Sequence, residues 1–156
     1  MINDKKLLQH AVKLAGDGIK EGKGPFGAVI VRDGKIISEA NNIVVISHDP
    51  TAHAEILAIR KAAAALQTHD LSDCTIYSSC EPCPMCLGAI YWSGIKRVIY
   101  ASDRNDAEAA GFSDSLIYRE IALDPSARSV SFIHLSDSEA SEVFRKWNES
   151  DSKVPY

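Results

Sequence analysis

The chain has 156 residues, is 46% apolar, and carries 17 Lys and Arg against 21 Asp and Glu, a formal net charge of −4. That length and apolar content suit a single domain, residues 1–156, around one core, and no apolar run approaches the ~18 residues of a membrane span. The acidic balance argues against a nucleic-acid partner, because binding a phosphate backbone draws on a basic patch; a small molecule is the expected ligand.

In chain order, Leu7, Leu8, Ala11, Val12, Leu14, Ala15 and Ile19 recur at helical spacing from Lys5 to Ile19, and Gly22-Lys23-Gly24-Pro25 breaks the pattern. Gly27–Val31 and Lys35–Ala40 flank Asp33-Gly34, a strong hairpin signal. A helix is predicted from His53 to Leu66, with a Lys61–Ala65 run rich in alanine, the best helix former. Thr75–Ser79 reads as a strand, Pro84–Trp92 as a helix ended near Gly94, and Val98–Ala101 as a strand. Short helical stretches are predicted within Asp103–Ala110 and Ser115–Ile121, a last strand over Val130–Leu135 and a last helix over Asp137–Asn148. A hairpin followed by strands alternating with helices predicts an α/β fold with a mixed sheet covered on both faces. The N-terminal residues Asp4, Lys5 and Lys6 precede no apolar leader, and four cysteines at metal spacing suit a reducing compartment, so a cytoplasmic location is expected.

The chemistry concentrates in two motifs. His53-Ala54-Glu55 is followed, 27 residues after Glu55, by Pro82-Cys83-Pro84-Met85-Cys86. One imidazole and two thiols make three zinc ligands, and the fourth tetrahedral position is left to water, as in catalytic rather than closed structural sites. A nearby carboxylate can then carry the proton that such a water gives up near pH ~7. Cys83 and Cys86 in one helical turn lie roughly 5–6 Å apart at Cβ. Pro84 suits the first helical position and Cys83 the N-cap, where the positive end of the helix dipole favours thiolates. Residues two apart in mid-helix point about 200° from each other, so His53 must stand at or just before its helix start if it and Glu55 are to share a cavity.

Either motif alone has bland readings: a C-x-x-C pair can be redox-active or structural, and a purely structural zinc would make the domain a binding module. Cys80 extends the cysteines to a C-x-x-C-x-x-C run, but an iron–sulfur cluster wants a fourth cysteine nearby and the remaining one is Cys74, six residues upstream. Pro82 biases Glu81 away from helical dihedrals, so Cys80 is expected to end the preceding strand, off the face of the other two; Cys74 reads as core. His10, His69 and His134 have no metal-spaced partner, and His48 is not needed as a ligand.

The joined H-x-E…P-C-x-x-C pattern is the zinc deaminase signature, and Pro50–Glu55 with Glu81–Cys86 resembles the cytidine deaminase superfamily over nearly the whole chain. Within it, Gly24–Val31, Ala110–Ser115, Ile117-Tyr118 and the C-terminal tyrosine are most similar to the bacterial guanine deaminase branch. The resemblance implies a three-layer α/β/α fold with a mixed five-stranded sheet, one Zn2+ per subunit, and conversion of guanine to xanthine and ammonia. It also implies a homodimer that exchanges its C-terminal helix and tail, residues 137–156.

In that scheme His53, Cys83 and Cys86 hold zinc, and Glu55 moves protons from water to a purine ring nitrogen. Asn42, Phe26, Ala54 and Trp92 meet the base, Asp114 assists loss of the amino group, and Tyr156 closes the neighbouring subunit's pocket. By residue type alone, Asn42 also reads as a turn residue, Phe26 as a core anchor, and Asp114 as a helix N-cap. Likewise Trp92 is as readily core as pocket wall, and Tyr156 an ordinary loose chain end. The rivals are a tRNA-specific adenosine deaminase, or a deaminase of another small aminated heterocycle. Against the first, Asp137–Lys153 holds five acids and three bases, where an RNA-binding branch should be basic.

Overall fold

α1 (Asp4–Lys20) begins where the Asn3 side chain accepts the backbone N–H of Lys5 at 2.9 Å, an N-cap. The computed structural model describes residues 3–156. Leu7, Ala11, Ala15 and Gly18 form the buried stripe of α1, which is narrower than the sequence period predicts, since Val12 and Ile19 face solvent. β1 (Gly27–Arg32) and β2 (Lys35–Asn41) pair antiparallel across Asp33-Gly34. Both turn residues have left-handed φ, 50° and 73°, as a type I′ hairpin requires.

β3 (Cys74–Cys80) lies antiparallel on the other side of β1, and β4 (Arg97–Ser102) runs parallel to β3, giving the order β2-β1-β3-β4. The first unit, which ends at Asp114, is completed by α2 (Val44–Ser47), α3 (Ala54–Leu66), α4 (Pro84–Trp92) and α5 (Arg104–Ala109). β1 is apolar because both its faces are covered. Ala28 and Ile30 pack with Ala54, Ala58, Ala62, Ile76 and Ile90, while Val29 and Val31 pack with Leu7, Ala11 and Tyr77. α1 therefore takes one face of the sheet and α3 and α4 the other, the three-layer α/β/α arrangement that was expected. A Cβ on Gly27 would fall 2.4 Å from the Ala11 carbonyl oxygen, so α1 can approach β1 this closely only with glycine there.

The second unit, Ser115–Tyr156, holds α6 (Ser115–Ile121), a 3-10 turn at Pro125–Ala127 and α7 (Ser138–Glu149). Polar contacts organise it: Arg128 donates to the carbonyls of Glu120 and Leu123 and lies 4.8 Å over the Phe132 ring. Asp137 caps α7 by accepting the Glu139 N–H at 2.7 Å. None of its residues is buried.

Two expectations need correcting. Among the described residues the sheet has four strands, not five. Val130–Leu135 carries strand-forming side chains but no regular structure, and Val130, Phe132, Ile133 and Leu135 are exposed. Side-chain preference alone does not make a strand, because each backbone N–H and C=O also needs a paired neighbour. Conversely, the β-branched run Ile43–Ile46, for which no element was expected, winds into the single turn of α2, stopped by His48 in the left-handed region at φ 53°. Among the described residues, no helix is long and apolar enough to cross a membrane.

Candidate active site

Two helix starts build the site. His53 is the N-cap of α3 with ψ 154°, so the chain turns between it and Ala54, and His53 and Glu55 aim at the same space despite being two residues apart. Cys83 is the N-cap of α4 with Pro84 in its first turn, the placement the sequence predicts. The Cys83 and Cys86 sulfurs each lie 3.5 Å from His53 Nδ1, and the three ligand atoms all fall within 4.8 Å of one another. Zinc bonds of ~2.3 Å to sulfur and ~2.0–2.1 Å to nitrogen, at tetrahedral angles, separate N and S donors by about 3.5 Å. These residues therefore fit zinc.

Among the described residues, this is the one cluster of three or more such side chains able to hold a metal, and it stops at three. Cys80 ends β3 as expected and points its sulfur at the Asp103 carbonyl, 3.5 Å away; Cys74, at the other end of β3, is buried. Burial pushes both thiols up to about 11, and neither sulfur belongs to the cluster formed by His53, Cys83 and Cys86.

The charges suit metal binding as well. A hydrogen bond from Cys86, and a second from His53, hold the Cys83 thiol down to about 4 against its burial. Cys86 is pushed up by its bond to Cys83 and by burial, so its proton leaves readily only when a cation takes its place. His53 is raised, chiefly by its hydrogen bond to Cys83. Glu55, 5% exposed, is raised by burial. Its Oε1 accepts the Ser78 hydroxyl at 2.9 Å, and its Oε2 lies 3.3 Å from Cys86 Sγ.

Around this centre the structure collects some of the other sequence-predicted residues. Asn42 is buried just past β2; its N–H donates to the Phe26 carbonyl at 3.0 Å, and the next residue, Ile43, donates to the Ala52 carbonyl at 3.1 Å, beside His53. The Phe26 ring meets Phe112 edge-on at 4.9 Å. Ala54, the first residue of α3, is fully buried between His53 and Glu55. Asp114 feels the charges of Cys83, Arg104 and Glu81, and its carboxyl is raised mainly by burial.

Trp92 is not collected. Trp92 closes the far end of α4 at 70% exposure, because only Cys86 and Ile90 of that all-apolar helix are buried. Tyr156 ends the second unit at 80% exposure. Ser78 and Phe112 escape the sequence reading. Phe112 stands inside the Ala110–Ser115 motif and could have been singled out there; Ser78 has no local signal, being one serine of two in a strand.

Three protein donors beside an acid that does not bind the metal are the working parts of hydrolytic zinc enzymes of the deaminase class. The chain belongs to that class: residues 1–102 match the cytidine and deoxycytidylate deaminase zinc-binding region, and the chain is a member of that family. It is 49% identical over 156 residues to the guanine deaminase of Bacillus subtilis strain 168, covering 99% of this chain and 100% of that protein. The X-ray structure of guanine deaminase from Bacillus subtilis superposes with a TM-score of 0.97 at 49% identity, covering 99% of each chain. A tRNA-specific adenosine deaminase of Haemophilus influenzae is 41% identical over 109 residues, 69% of this chain and 63% of that protein.

Proposed function

We propose that this chain is a cytoplasmic homodimeric enzyme that hydrolyses guanine to xanthine and ammonia. The observation that carries the substrate is the reach of the likeness: similarity to a guanine deaminase runs through the second unit, whereas similarity to the tRNA deaminase covers 69% of the chain. The acidic Asp137–Lys153 stretch adds weight against an RNA substrate.

His53, Cys83 and Cys86 would hold zinc, which would supply the acidity that makes water a nucleophile near neutral pH. Glu55 takes a proton from that water and passes it to a ring nitrogen, so that C2 becomes electrophilic; its burial raises its proton affinity and suits it to hold the proton between transfers. The Asn42 amide hydrogen-bonds the base, Phe26 walls its face, and the small Ala54 side chain leaves room against the α3 start. Asp114 delivers a proton to the departing amino group. A C2–O bond forms and the C2–N bond to the amino group then breaks; one hydrogen of water stays on the ring nitrogen of xanthine, and the other leaves with the amino group as ammonia.

The expected result for purified protein is ammonia release from guanine with kcat/KM at least about 100-fold above that for adenine, cytosine, the corresponding nucleosides and tRNA. Comparable turnover of tRNA would overturn the assignment.

The dimer belongs to the same reading. A unit with no buried residue, exposing Val143, Phe144 and Trp147 on one helix, has not buried enough apolar surface to stand by itself. We read Tyr156 as reaching a neighbouring subunit's pocket. Sedimentation should give twice the mass of the chain, and removing Tyr156 should lower kcat/KM about tenfold, roughly 1.4 kcal/mol, with the dimer intact; unchanged kinetics would show that the tail closes no pocket. Four unpaired cysteines support a reducing, cytoplasmic location.

A further inference from the structure

Ser78 lies in β3, a strand flanked on both sides, pairing with Ala28 of β1 and Tyr100 of β4. It is 1% exposed and shares a face with Ile76, whose neighbours are the apolar side chains under α3 and α4. A hydroxyl there is unfavourable unless it is hydrogen-bonded. Its partner is Glu55 Oε1, at 2.9 Å. The hydroxyl is the donor and the carboxylate oxygen the acceptor. The other oxygen, Oε2, is the one that faces the metal ligands, 3.3 Å from Cys86 Sγ.

The terminal torsion of a glutamate has no sharp preference, and a displacement of about 1 Å is enough to cost about 100-fold in rate. Something must therefore fix the plane of the Glu55 carboxylate, and the Ser78 hydroxyl holds one end of it.

We propose that Ser78 is a positioning residue: by occupying Oε1 it fixes the Glu55 carboxylate so that Oε2 alone carries protons between water and base. This rests on the proposed deaminase function and adds to it which oxygen works and what holds it. A merely structural role, in which the two groups only satisfy each other's burial, makes a different prediction: losing the hydroxyl would lower stability and leave turnover alone.

The variants Ser78→Ala and Ser78→Thr separate the two. Ser78→Ala is expected to lose roughly 10–100-fold in kcat, the usual effect of removing a group that orients a metal-site residue, with KM and zinc per subunit unchanged. Ser78→Thr keeps the hydroxyl and should recover most of the rate. Wild-type kcat in Ser78→Ala, a rate loss that merely tracks zinc loss, or Ser78→Thr as slow as Ser78→Ala would each overturn the proposal. The wild-type rate on guanine reads the proposed function, and the ratio of variant to wild type reads Ser78, so the two failures are distinct.

Discussion

Replacing Glu55 by Gln should leave zinc bound and the fold intact while lowering kcat by about 10²–10⁴-fold, the usual contribution of a positioned acid–base group. The substitution preserves shape, and the amide oxygen can still accept the Ser78 hydroxyl that now meets Oε1. The lost capacity is specific: an amide does not pick up a proton from water and release it to a ring nitrogen. Stability should move the other way. Burial raises the Glu55 carboxyl, so at neutral pH its ionised form is held at a free-energy cost that a neutral side chain does not carry. The melting temperature of Glu55→Gln should therefore match or exceed that of wild type in metal-free protein. Ammonia release near the wild-type rate would place the proton relay elsewhere.

Cys86→Ala should fold and fail to hold zinc. Losing a residue that only supports a ligand weakens metal binding by about 10–100-fold, so removing one of three ligands should exceed about 100-fold, with activity lost in step. The fold should survive because the cores rest on Ile30, Ile76, Leu71 and Leu7 with the alanine face of α3, and alanine is a strong helix former in the first turn of α4. Metal analysis beside circular dichroism gives the test. Stoichiometric zinc in folded Cys86→Ala would mean that the ligand set is wrong.

What the sequence discloses follows from how local each signal is. Asp33-Gly34 announces its hairpin because the turn needs two left-handed residues in succession. His53 and Cys83 can be placed at helix starts from spacing and Pro84 alone, since both arguments concern a single helical turn. Signals that depend on distant partners are not readable in this way. Val130–Leu135 has the composition of a strand and lacks a ladder; Ile43–Ile46 has similar composition and coils. Trp92 reads equally as core or pocket wall yet is 70% exposed, because α4 is apolar all round, which erases the period that would orient it. Ser78 is the clearest case, for its meaning lies in a carboxylate 23 residues away that folding brings to 2.9 Å.

The low proton affinity of Cys83 has a practical side. In protein stripped of its metal, hydrogen bonds from Cys86 and His53 favour the charged form of this half-buried sulfur, with a second sulfur one helical turn away. Charged sulfur of that kind is the form that peroxide and air attack. Demetallated enzyme handled without reductant should consequently age into a species that added zinc no longer revives, so the bound ion also shields the pair from oxidation.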